Sequence, residues 1–114
     1  MIDARRMEVY TALYDSDMNT VLDVHAKILD ESSFQDYLSS SKIVFLGSGA
    51  PKTKNVIKSP NAIFDLSHDL SAKNIISTAY QRFTDNNFEN IAYFEPFYLK
   101  DFIAKKPVVK ALRY

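Results

Sequence analysis

Gly47-Ser48-Gly49 is the short segment of this chain whose residue types best suit the handling of a phosphate. It follows a continuous apolar run, residues 42–46, and precedes Pro51, a residue suited to the first turn of a helix. A strand, a glycine turn and a helix in that order aim backbone N–H groups at one point, where they can hold an anion. The triplet is nevertheless short of a full phosphate loop or a dinucleotide fingerprint, which need more glycines and other residues. A tight turn in which glycine permits positive φ accounts for it more simply. At most it is a vestigial phosphate loop.

Ser48 does not sit in a nucleophile elbow, because that turn needs glycine two residues to either side and Leu46 and Ala50 stand there. A general base would have to be His25 or His68. His25 alternates with Asp23 and Lys27 and is expected to face solvent, and His68 precedes a helical segment as a polar end residue. No H-E-x-x-H or other two-histidine metal spacing occurs. Cysteine is absent, so thiol nucleophiles, disulfides and Cys-ligated zinc are excluded. No residue is expected to be catalytic, to bind a metal or to hold a cofactor.

Three further groups could bind rather than react. Asp3, Arg5 and Glu8 near the start, with Glu95 near the end, form a charged set. If the final segment lies beside the first strand, Arg5 and Glu95 can pair bidentately and clasp the two ends at a domain junction; ordinary surface charge is the alternative. Tyr93, Phe94, Phe97, Tyr98 and Phe102 could stack on nucleic-acid bases. With no basic residue among them before Lys100, they are expected instead to be core and lid over a sheet. Beyond Leu99 the chain carries Lys100, Lys105, Lys106, Lys110 and Arg113 against Asp101. Such a tail can make a weak, salt-sensitive contact with RNA phosphates, but a solvated end is the expected reading.

The elements that must position these groups are read from periodicity. Residues 7–14 are rich in β-branched and aromatic types, residues 15–19 are turn formers, and residues 20–29 alternate. Leu22, Val24, Ala26 and Ile28 are assigned to the dry face of this hairpin, and Asp23, His25 and Lys27 to the wet one. Ser32-Ser33 is expected to cap a short helix carrying Phe34, Tyr37 and Leu38. The run 42–46 reads as a strand buried on both faces. A helix from Pro51 to Val56 and Ile57, and a strand over 62–64, follow. Residues 71–83 place Ala72, Ile75, Ile76, Ala79, Tyr80 and Phe83 on one helical stripe, closed by Thr84-Asp85-Asn86-Asn87.

That order predicts a single domain over residues 1–114, with a mixed α/β sheet and helices packed against it. A 46% apolar share is enough for a core, so disorder is not expected. Balanced charge, 14 basic against 14 acidic residues, provides no overall field for DNA, RNA or an anionic membrane. Nothing approaches the run of about 18 apolar residues that spans a bilayer, and the start has no secretory pattern. A cytoplasmic protein is the expectation.

Three segments, in order, resemble the C-terminal half of the TsaB family, also called YeaZ or glycoprotease-like. They are Asp3-Ala4-Arg5-Arg6-Met7-Glu8-Val9-Tyr10, then Val44-Phe45-Leu46-Gly47-Ser48-Gly49, then Glu95-Pro96-Phe97-Tyr98-Leu99-Lys100. The likeness spans nearly the whole chain. It implies one lobe of an actin-like, sugar-kinase-like fold, without the N-terminal lobe of roughly a hundred residues that the family carries. Met1 is then an internal methionine or an added start. The resemblance further implies a non-catalytic scaffold that pairs with the transferase TsaD, with the ATPase TsaE joining, in threonylcarbamoyl modification of the adenosine beside the tRNA anticodon. In the family that pairing runs mainly through the N-terminal lobe, and an uncovered apolar face here could form a homodimer. An ATP-using enzyme lobe of the same fold and a free-standing interaction module are the alternatives.

Overall fold

The computed structural model describes residues 1–67 and 71–100. Its first unit is a three-stranded antiparallel meander of β1 (Ile2–Asp3), β2 (Glu8–Tyr14) and β3 (Thr20–Ile28) in the order β1-β2-β3. Asp15 shapes the β2–β3 turn, its carboxylate accepting from the Asp17 N–H at 2.9 Å, the Asn19 N–H at 2.8 Å and the Asn19 amide at 2.9 Å. An Asx-type arrangement of this kind satisfies turn backbone that no ladder reaches.

A short helix, α1 (Gln35–Leu38), leads to β4 (Ile43–Leu46), then α2 (Ala50–Val56) and β5 (Ala62–Asp65), which pairs parallel to β4. Pro51 lies in the first turn of α2, as its fixed φ favours. A 3₁₀ turn over Ala72–Ile75 runs into α3 (Ile76–Thr84). The chain is thus a mixed α/β domain in which the expected hairpin, the 50s helix and the 60s strand all form.

The two strand sets meet at Met1. Its amine donates to the Leu46 carbonyl at 2.8 Å, and its carbonyl accepts from the Gly49 N–H at 3.4 Å. Donating to one residue and accepting from a later one is the pattern of a parallel contact. It sets β1 beside β4.

Beneath this sheet lies a core of Val9, Leu29, Phe34, Leu38, Ile43, Phe45, Ala50 and Ile57. Phe45 stacks on Phe64 at 5.1 Å between centroids and meets Phe34 edge-on at 5.5 Å. Such pairs contribute about 0.5–1.5 kcal/mol beyond area burial.

Four expectations are corrected here. The hairpin's dry face is the other one: Val9 and Thr11 are buried, and opposite them stand Lys27 and His25. His25 is therefore half-buried on the inner side, its Nδ1 2.8 Å from the Asp23 carbonyl oxygen, while Val24 and Ile28 are 44% and 71% exposed. The physical reason is an irregular register after Thr11, where β3 carries extra residues and Leu22 returns to the inner side opposite Leu13. Second, β4 is buried on one face only, with Ile43 and Phe45 inside and Val44 and Leu46 about half exposed, since α1 and α2 cover just one side.

Third, Ser32 and Ser33 do not cap α1. Phe34, at φ 64°, occupies the cap, and both serine hydroxyls donate to Asp30 Oδ1 at 2.8 and 2.9 Å. Fourth, the aromatic cluster is not a lid: Tyr93, Phe94, Phe97 and Tyr98 are each more than 60% exposed, and Phe102 lies outside the described residues.

Candidate functional site

The site begins with the turn that links β1 to β2. Arg5 and Arg6 adopt φ of 68° and 47°, both in the left-handed region that non-glycine residues avoid. Something must hold them there. Asp3 Oδ1 accepts from the Arg5 N–H at 2.7 Å, the Ala4 N–H donates to the Glu8 carbonyl at 3.0 Å, and the Glu8 N–H donates to the Arg5 carbonyl at 3.1 Å.

Lys52, in the first turns of α2, reaches the same place from another element. Its ammonium donates to Asp3 Oδ1 at 2.8 Å, to the Arg6 carbonyl at 2.9 Å and to the Glu8 carbonyl. With 16% of its side chain exposed, it is the inner partner of this ion pair. The Lys52 hydrogen bond and then the Arg5 N–H hold the Asp3 carboxyl below the usual carboxylate range. Lys52 was not among the residues that spacing brought forward. Its one signal is a cation in the first turn of a helix, where the macrodipole disfavours it unless an anion is close.

Gly47 and Gly49 belong to this junction as well. Gly47 has φ 91°, and a Cβ there would sit 2.3 Å from the Met1 carbonyl oxygen. A Cβ on Gly49 would fall 2.9 Å from a Val9 methyl. Ser48 Oγ accepts from the Asp3 N–H at 3.1 Å, and the Ala50 N–H bonds to Gly47. The Gly49 and Ala50 N–H groups are therefore engaged with the chain itself, and the glycines serve the close approach of β1. Behind them Thr53, fully buried, donates to the Gly49 carbonyl at 2.9 Å and lies 3.1 Å from Met1 Sδ.

The C-terminal motif returns to the same region through one residue. Lys100 pairs with Glu8, and Leu99 beside it is half-buried. Glu95, Pro96 and Tyr98 are exposed, and among the described residues Glu95 makes no ion pair or hydrogen bond. The Arg5–Glu95 clasp does not form; Lys52–Asp3 and Lys100–Glu8 take its place. His68 and the basic residues Lys105, Lys106, Lys110 and Arg113 lie outside the described residues.

Elsewhere, an open groove of about 500 Å³ runs between α1 and the α2–β5 connection, lined by Ser33, Gln35, Leu38, Ile57 and Lys58 among others. Among the described residues no three His, Asp or Glu side chains gather as a metal set, and no helix is long and apolar enough to cross a membrane.

Fold and site together define a small mixed α/β domain whose N-terminal strand is locked against a strand–turn–helix corner. No protein-family model, curated protein or solved structure matches this chain.

Proposed function

We propose that this chain is the C-terminal lobe of a TsaB-like scaffold, acting in threonylcarbamoyl modification of tRNA by pairing with a TsaD-type transferase. One observation carries the reading. The three separated segments that resemble the family meet at a single junction: Asp3 through Glu8, the Gly47-Ser48-Gly49 corner, and Lys100 of the terminal motif. Residues kept together by a shared structural task are expected to converge in this way.

A second support is architectural. An antiparallel meander linked through Met1 to a parallel β-α-β unit is the layout expected of one lobe of an actin-like fold. An ATP-using lobe fits less well, because the Gly49 N–H and the Ser48 hydroxyl are bonded within the chain.

The test is titration calorimetry of the cognate TsaD against two samples, this 114-residue chain and the full product of its gene. Binding by the gene product, with weaker binding by the 114-residue chain, is the expected result. Absence of heat with both overturns the scaffold reading.

A further inference from the structure

The β1–β2 turn holds two arginines that its own shape does not call for. Arg5 and Arg6 both stand in the left-handed region, where glycine, asparagine or aspartate would sit with less strain. Neither guanidinium helps to hold that shape, which Asp3 and Lys52 fix through the turn's backbone. Both residues are exposed. Among the described residues neither side chain takes part in an ion pair or a hydrogen bond.

Two further cations reach the same turn. Lys52 donates to the Arg6 and Glu8 carbonyls, and Lys100 pairs with the Glu8 carboxylate. The zero net charge of the chain conceals this concentration. Residues 3–8, Lys52 and the segment from Lys100 onward carry eight basic against three acidic residues, and the remainder six against eleven. A local field of this sign attracts phosphates even where the whole molecule has none. Just before Lys100 stand Phe97 and Tyr98, 78% and 81% exposed. Three residues of chain reach at most about 11 Å, so both rings lie close to Lys100.

We infer that this corner is a contact site for single-stranded nucleic acid, with Arg5, Arg6 and Lys100 on its phosphates and Phe97 and Tyr98 stacked on its bases. The guanidinium fork meets a phosphate in two parallel hydrogen bonds, which explains arginine here where lysine would supply only charge. Lys100 is free to turn toward a phosphate because its pair with Glu8 is partly exposed and weakly held. An acidic peptide would use the same cations. The bare rings favour nucleic acid, because bases offer flat faces to stack on and carboxylates do not. The inference goes beyond the scaffold reading, which gives this lobe a protein partner and no contact with nucleic acid.

The test is fluorescence anisotropy of the 114-residue chain with labelled single strands of about ten nucleotides, one of RNA and one of the same sequence in DNA. Binding is expected, and it should weaken steeply between about 50 and 200 mM salt. Asparagine tolerates the left-handed region, so the double variant Arg5→Asn, Arg6→Asn should melt no lower than the parent chain. Its slope of log affinity against log salt should be shallower by about 1.4, the share of two phosphate contacts. Phe97→Ala with Tyr98→Ala should weaken binding by at least about fivefold and leave that slope unchanged. Tighter binding of RNA than of DNA names RNA as the ligand, and equal binding assigns a site that reads phosphates and bases alone; either result supports the contact. No binding of either strand at low salt overturns it, as does an unchanged slope in the asparagine variant. Polyglutamate that displaces the labelled strand as well as unlabelled RNA does gives the corner to an acidic protein segment and also overturns it. TsaD is absent throughout, so failure here leaves the scaffold reading standing, and failure of the calorimetry leaves this contact standing.

Discussion

Lys52 Nζ lies 2.8 Å from Asp3 Oδ1 across 49 positions of sequence, and the same ammonium caps two carbonyls of the β1–β2 turn. The ion pair itself is half exposed on the Asp3 side, so its Coulombic share is small. The carbonyls weigh more. Lys52→Met keeps the aliphatic stem and leaves the Arg6 and Glu8 carbonyls without that donor, which costs about 1–3 kcal/mol. Urea denaturation of the variant should show a lower midpoint with an unchanged slope.

Acid should act on the same contact. The Asp3 carboxyl titrates below its ordinary value in the folded chain, so its contribution is complete above about pH 4, the unfolded carboxylate range, and is lost as pH falls through the depressed folded value. Asp15 and Asp30 are lowered likewise, chiefly by hydrogen bonds from Asn19 and from Ser32. Asp3→Asn should therefore melt below the parent chain at pH 6. The gap should narrow as pH drops below about 4. A gap that stays constant to pH 2 would remove the assigned role of the ionised carboxylate.

The two glycines of the corner should respond unequally. Gly47→Ala combines a φ of 91° with a Cβ 2.3 Å from backbone oxygen, and should cost at least about 2 kcal/mol. Gly49→Ala has an ordinary φ and meets a side-chain methyl of the buried Val9 at 2.9 Å, not backbone, and should cost less than Gly47→Ala. Thermal melts of both variants give the order directly.

Phe45 ties β4 to β5 and α1 through its two ring contacts and is 3% exposed. Phe45→Ala should destabilise by about 3–5 kcal/mol, the range for a large buried aromatic. Equilibrium unfolding followed by near-UV circular dichroism measures this.

Glu95→Gln should leave the melting temperature unchanged within error, because the side chain is exposed and engages no cation among the described residues. A fall of several degrees would restore the clasp with Arg5. Glu8→Gln, which removes the Lys100 pair, should cost less than about 1 kcal/mol, as exposed pairs do.

Much of the order of elements was legible before the structure. The hairpin over residues 7–29, the helix after Pro51, the strand at Ala62–Asp65 and the stripe from Ala72 to Phe83 each follow from periodicity within a dozen residues. Turn chemistry at Asp15–Asn19 was equally local. These are properties that neighbouring residues decide among themselves.

The facing of the elements was not legible. The alternation of Val24, Ala26 and Ile28 is real, yet an irregular register beside Leu13 and the position of β4 put Thr11 and Val9 inside instead. An apolar run such as 43–46 shows that a strand can be buried on both sides, but whether it is depends on what lies over Val44 and Leu46. The glycines of the corner were read as a tight turn, with a vestigial phosphate loop as the alternative, but what the turn accommodates was hidden for the same reason: the chain that fills the space beside them, Met1 to Asp3, comes from 45 residues away. Lys52 and Asp3 likewise carry no mark of one another in sequence. Periodicity records which residues could share a surface, whereas contact between distant segments, settled by packing and backbone pairing, decides which surface is covered and by what.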